Sequence, residues 1–73
     1  MEDEILFKFQ KNSLEEVRIL RREYHGLQLF DLRVYFRDTG DTWKPSKKGL
    51  CLGVDRLDEL QAGLDALRKA LDE

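Results

Sequence analysis

The sequence predicts an α+β fold in which four strand segments precede one C-terminal amphipathic helix. Three observations carry this reading. Apolar residues recur with a period of two through the first half of the chain, a His25-Gly26 pair interrupts that pattern, and leucines recur every three or four residues from Leu57 to Leu71.

Ile5, Phe7 and Phe9 alternate along Ile5-Leu6-Phe7-Lys8-Phe9, which predicts a first strand over about residues 5–10 at a sheet edge. Lys11, Asn12 and Ser13 supply a turn, and a longer strand follows over about 14–24. A glycine at the second position of a two-residue loop tolerates the positive φ of a type I′ turn. His25-Gly26 therefore joins that strand in a hairpin to a third, over about 27–37.

The tight loop sets a register. Val17 then faces Val34, Ile19 faces Leu32 and Arg21 faces Phe30 on a surface suited to a core. Arg18 faces Arg33 on the other surface, which also carries Leu20 with Asp31, Arg22 with Leu29, and Tyr24 with Leu27. Two directly opposed arginines repel unless an anion or an acidic neighbour lies between them, and an anion-binding face is the more informative reading.

Asp38-Thr39-Gly40-Asp41 is a turn signal that opens a basic loop over 38–47, in which Pro45 excludes a central strand position. A short last strand is expected over about 48–52, and the helix over about 54–72 with Gly53 or Asp55 as its cap. On that helix Leu57, Leu60, Leu64, Leu67 and Leu71 form one stripe, and Gly63 in mid-helix suggests close approach of another backbone. The helix is expected to pack on the sheet and on its counterpart in a second subunit.

Seventy-three residues make a single domain, 1–73, too small to bury a generous core alone. One cysteine, Cys51, cannot close an internal disulfide, and with the single His25 it is too little for a structural zinc site, so no metal and no cofactor are expected. Oligomerisation is the remaining source of stability, and a homodimer is expected. No stretch has the length and apolarity of a membrane span, and the acidic N-terminus does not read as a signal segment. A cytoplasmic location follows as the expectation, nucleoid-associated in a prokaryote.

The formal net charge is −2, but the charges are unevenly placed. Residues 5–53 hold ten basic side chains against six acidic ones, while acids crowd the two ends. Such a distribution turns a basic side toward a polyanion. Enzymatic constellations are missing: there is no Gly-rich phosphate loop, no HExxH, and no serine or cysteine with a plausible histidine partner. No small-molecule substrate is expected.

The run from Arg33 to Leu52, RVYFRDTGDTWKPSKKGLCL, resembles the C-terminal domain of the positive cofactor 4 family of transcriptional coactivators. It carries a strand ending in an aromatic (Phe36), an acidic Gly-containing turn, Lys44-Pro45-Ser46-Lys47-Lys48-Gly49 with Leu50 and Leu52, and an amphipathic helix. Arg22-Glu23-Tyr24-His25-Gly26 is similar to the family's hairpin tip, and the likeness covers residues 5 to 72. It implies a compact prokaryotic or phage-type member with a curved four-stranded antiparallel sheet and one helix. The family dimerises so that its sheets form grooves for single-stranded DNA.

The resemblance implies base stacking on Tyr24 and Phe36 and basic contacts from Arg33, Lys44, Lys47 and Lys48. Two departures stand out: phenylalanine replaces the usual strand-end tryptophan, and His25 and Leu27 replace lysines beside the tip glycine. The simple register puts Phe36 on the core face, away from Tyr24, so a bulge or strong twist is needed to bring the two together.

Single-stranded nucleic acid needs positive charge along its backbone and flat rings for its bases. Arg18, Arg22 and Arg33 add guanidinium groups to the candidate face, and Trp43 is open to two readings, a stacking platform or a cover for the edge of a small core. Leu57, Leu60, Gly63, Leu64, Leu67 and Leu71 are the expected dimer interface. The function expected is sequence-tolerant binding of single-stranded DNA. Rival readings are an RNA-preferring binder, or a protein-interaction dimer that has lost the ligand.

Overall fold

The computed structural model describes residues 3–73; Met1 and Glu2, the start of the acidic N-terminus, lie outside the described residues. Four strands, β1 (Glu4–Asn12), β2 (Glu15–Tyr24), β3 (Leu27–Arg37) and β4 (Trp43–Gly53), form one antiparallel sheet in the order β1-β2-β3-β4. A 3-10 turn (Val54–Arg56) leads into helix α1 (Leu57–Leu71). Gly53 is the N-cap of the 3-10 turn and Arg56 that of α1, and neither segment has a side-chain cap bond, so Asp55 does not cap the helix.

The β2–β3 hairpin follows from its loop. His25 (φ 50°) and Gly26 (φ 80°) both adopt the left-handed conformation a type I′ turn requires. Pairing then runs without a shift from Tyr24 opposite Leu27, through Arg18 opposite Arg33, to Glu15 opposite Phe36. The outer strands are less regular. In β1 the register shifts between Ile5, opposite Leu20, and Phe7, opposite Ile19. Leu6 is the extra residue, and it turns Ile5 to the face opposite Phe7 and Phe9, against the simple alternation.

β4 starts at Trp43, earlier than the expected start at 48, so the basic loop 38–47 contracts to a turn over 38–42. The reason is a wide bulge. Pro45 faces Tyr35 and Gly49 faces Arg33, so residues 46–48 together answer Val34. Ser46 Oγ donates to the Val34 carbonyl at 2.8 Å and accepts from the Lys48 amide at 3.0 Å, holding the extra residues in the ladder. Pro45 is tolerated because β4 is an edge strand. Gly49 is required by contact: a Cβ there would sit 2.3 Å from the Leu32 carbonyl oxygen, at φ +149°.

Directly opposed residues share a face. One face carries Phe7, Phe9, Val17, Ile19, Leu32, Val34 and Leu50, the surface expected to be a core. Within one chain it is largely uncovered: Phe7 is 60% exposed, and Val17, Ile19, Leu32 and Val34 are only half-buried. Among the described residues Phe30 alone on this side is buried, opposite Leu52, where the 3-10 turn meets β3. The opposite, polar face holds the other buried residues, Glu16, Leu20, Asp31 and Tyr35. Guanidinium groups on that face lie against three of them, Arg18 on Glu16 and Tyr35, and Arg22 and Arg33 on Asp31.

The helix does not pack on the sheet as expected. Its neighbour is the 3-10 turn, no residue of α1 is buried, and Leu57, Leu64, Leu67 and Leu71 are exposed. The shape records this. The Cα radius of gyration is 14.1 Å, against about 11 Å for a compact chain of this length.

Candidate nucleic-acid interface

The polar face is built by parity. Even-numbered positions of β2 and odd-numbered positions of β3 point to the same side, and unbroken pairing keeps them in line. Lys8, Arg18 and Arg33 stand side by side on β1, β2 and β3, forming a row of cations across the sheet that ends at Gly49. Lys8 was not among the expected site residues; its alternation with Phe7 and Phe9 is the signal that marks it. The next row is Ile5, Leu20, Asp31 and Cys51, and Arg22 and Tyr24 follow toward the hairpin tip.

The opposed arginines are reconciled by acids of the protein itself. Asp31 has no solvent exposure, and Arg33 Nε donates to both of its carboxylate oxygens at 3.1 Å. This carboxylate holds the Arg33 guanidinium pKa above its ordinary value. Arg22 Nη2 lies 3.4 Å from the same carboxylate and 3.4 Å from that of Asp3. Arg22 Nε is buried without a partner among the described residues. Arg33 Nη1 also donates to the Ser46 carbonyl at 3.0 Å, tying β3 to the bulge in β4. Arg18 pairs through Nε with Glu16 Oε2. Each opposed arginine therefore has its own counter-charge, and the pair needs no bound anion to coexist.

The remaining expected residues divide between surfaces. Tyr24 lies on the polar face at the tip, 56% exposed, with its ring edge-on to His25 at 4.1 Å between centroids. Trp43 faces Arg37 on the same side, and the guanidinium carbons of Arg18 and Arg37 lie 5.9 and 6.0 Å from its ring centroid. Phe36 pairs with Glu15 and Lys44, which puts it on the apolar face, away from Tyr24. The bulges of this sheet lie in the outer strands and leave the β2–β3 pairing unshifted, so they do not turn Phe36 over.

Lys44 Nζ bonds Asp38 at 2.9 Å. That bond, with the Gly40 and Thr42 amides donating to Asp38 Oδ1 at 2.9 and 3.2 Å, holds the carboxyl pKa below its ordinary value of 3.8. Lys47 and Lys48 are exposed in the bulge and make no ion pair among the described residues. Among the described residues no three His, Cys, Asp or Glu side chains converge on a metal site. Among the described residues no helix is long and apolar enough to cross a membrane.

The family model for Transcriptional Coactivator p15 (PC4) matches residues 11–63, which include the hairpin, the Ser46 bulge and the start of the helix. The chain belongs to the PC4 family. Solved structures agree on the fold. A PC4 homolog from Burkholderia pseudomallei K96243 superposes in its tetragonal crystal form with a TM-score of 0.85 at 22% identity, covering 92% of this chain and 98% of that one. Its orthorhombic form gives 0.84 at 22% identity, covering 92% and 90%.

The bacteriophage T5 homolog of the eukaryotic coactivator PC4, implicated in recombination-dependent DNA replication, gives 0.63 at 24% identity, covering 97% of this chain and 76% of that one. No curated protein sequence matches the chain. PC4 domains are non-enzymatic DNA-binding domains of a transcription-coactivator-like family, and a nucleic-acid-binding role comes with membership. The PC4 fold here is the open four-stranded sheet followed by one helix.

Proposed function

We propose that this PC4-family chain binds single-stranded DNA as a homodimer, with broad sequence tolerance, in support of transcription, replication or repair. One observation carries the reading: the cation row Lys8, Arg18 and Arg33 shares its face with the exposed Tyr24 ring. Phosphates and unstacked bases need that combination. Lys47 and Lys48 extend the charge along the edge of the sheet, and Trp43 supplies a second ring. Phe36 and Lys44 contribute where a strand wraps over the far corner. The dimer is supported by the uncovered apolar face and the exposed leucines of α1, which together leave one chain with few buried apolar residues. Leu57, Leu60, Leu64, Leu67 and Leu71, with Gly63, form the interface.

Fluorescence polarisation with a labelled oligothymidine of about 20 nucleotides tests the binding, with log affinity falling by about 0.7 per neutralised phosphate for each decade of salt. No salt-sensitive binding at low ionic strength would sink it. Sedimentation at micromolar concentration tests the dimer, and a monomeric mass refutes it. Competition by a matched RNA strand decides the nucleic-acid type, because stacking alone does not sense a 2′-hydroxyl.

A second reading is favoured by the pairing of Arg18 with Glu16 and of Arg22 and Arg33 with Asp31. Cations neutralised in this way suit a protein-interaction dimer that has given up its nucleic acid. Partners captured equally before and after nuclease treatment support that alternative.

A further inference from the structure

Resting on the single-strand reading above, we infer that Arg18, fixed by Glu16, Tyr35 and Trp43, forms a guanine-selective subsite distinct from the Tyr24 tip. Three contacts hold the Arg18 side chain. Its Nε donates to Glu16 Oε2, and Glu16 is itself only 7% exposed, two positions earlier on the same face. Its guanidinium carbon lies 4.3 Å from the ring centroid of the buried Tyr35 and 5.9 Å from that of the half-buried Trp43. A long flexible side chain is thereby held against two aromatic rings before any ligand arrives.

The open edge of the group decides what it takes. The Arg18 side chain is 14% exposed, no acceptor among the described residues meets its Nη1 or Nη2, and neither is a buried orphan, so the terminal amino groups keep an edge in contact with solvent. With Nε occupied, the guanidinium presents two parallel N–H bonds on its far edge. The base edge that matches such a fork is guanine, through O6 and N7. A phosphate matches it as well, but the aromatic layer distinguishes them. A base bonded in the guanidinium plane continues that plane over neighbouring rings, whereas a tetrahedral phosphate gains nothing from them. Glu16 acts as a positioning residue, directing the fork outward by occupying Nε.

The test compares 20-nucleotide oligothymidine with the same strand carrying guanine, or 7-deazaguanine, at every fifth position. The guanine strand should bind about tenfold more tightly, within the range a bidentate guanine contact provides. Removing N7 should abolish the gain while leaving the stacking surface intact. Arg18→Lys and Glu16→Gln should each bring the ratio of the two affinities to about one, whatever happens to absolute affinity. Equal affinity of the wild type for both strands, with oligothymidine binding intact, overturns the inference but not the single-strand reading. A preference that survives 7-deazaguanine substitution also overturns it and points to purine stacking without readout of N7. Failure to bind either strand removes the single-strand reading and this subsite with it.

Discussion

Arg33 and Asp31, two positions apart on one face of β3, are joined by Arg33 Nε donating to both oxygens of a carboxylate that has no solvent exposure. With Arg22 on its other side, this acid neutralises the centre of a face whose rim is basic. Asp31→Asn should therefore have effects of opposite sign. Stability should fall by about 3 kcal/mol, the low end for a broken buried pair, because both arginines reach water. Affinity for oligothymidine per folded molecule should rise as two guanidinium groups are released. Urea denaturation and polarisation measure the two separately.

Tyr24→Ala should weaken single-strand binding by about 1–3 kcal/mol, the value of one stacked base, and leave the dimer intact. Phe36→Ala, on the other face, should cost binding less. Equal losses in the two titrations would mean that the strand path reaches both faces.

Lys47 and Lys48 make no ion pair among the described residues, so their charge is available to a polyanion. A double Lys47→Ala, Lys48→Ala change should reduce the magnitude of the salt slope by about 1.4, two phosphates at about 0.7 each. Polarisation over a salt series reads this directly.

Gly63 has nothing within 4 Å of the position its Cβ would occupy. In a lone chain Gly63→Ala should stabilise the helix by up to about 1 kcal/mol. Where a partner backbone packs against this position, the same methyl should weaken the dimer. Sedimentation is expected to show a lower dimer fraction for the variant, with helicity by circular dichroism unchanged or higher.

Asp38 titrates below its ordinary value because Lys44, then the Gly40 and Thr42 amides, hold the charged form. A depressed carboxyl stabilises the native turn above its unfolded value, and that contribution is lost as pH falls through the native one. The stability difference between wild type and Asp38→Asn should shrink as pH drops below 3.8. Chemical denaturation at stepped pH checks the sign.

Much of this was legible because it depends on neighbours in sequence. His25-Gly26 admits the paired left-handed conformations of one turn type, and that turn set every β2–β3 partner, Arg18 with Arg33 and Tyr24 with Leu27 among them. The run around Lys44-Pro45-Ser46-Lys47-Lys48-Gly49 marked the family, and the leucine spacing marked the helix.

The outer strands were not legible, because a bulge is settled by the partner strand. The Leu6 offset in β1 and the Ser46 bulge that brings Trp43 into β4 appear only when β2 and β3 are in place to be answered. The same holds for charge. By itself the sequence determined the turn, the alternation and the stripe, since φ preferences and side-chain periodicity act over a few residues. The tertiary structure alone decided that Asp31 lies beneath Arg22 and Arg33 and that Arg18 lies over Tyr35, and that no bulge turns Phe36 from the face the hairpin register assigns it. These relations depend on where a paired strand places its side chains, and no short-range rule along the chain carries that information.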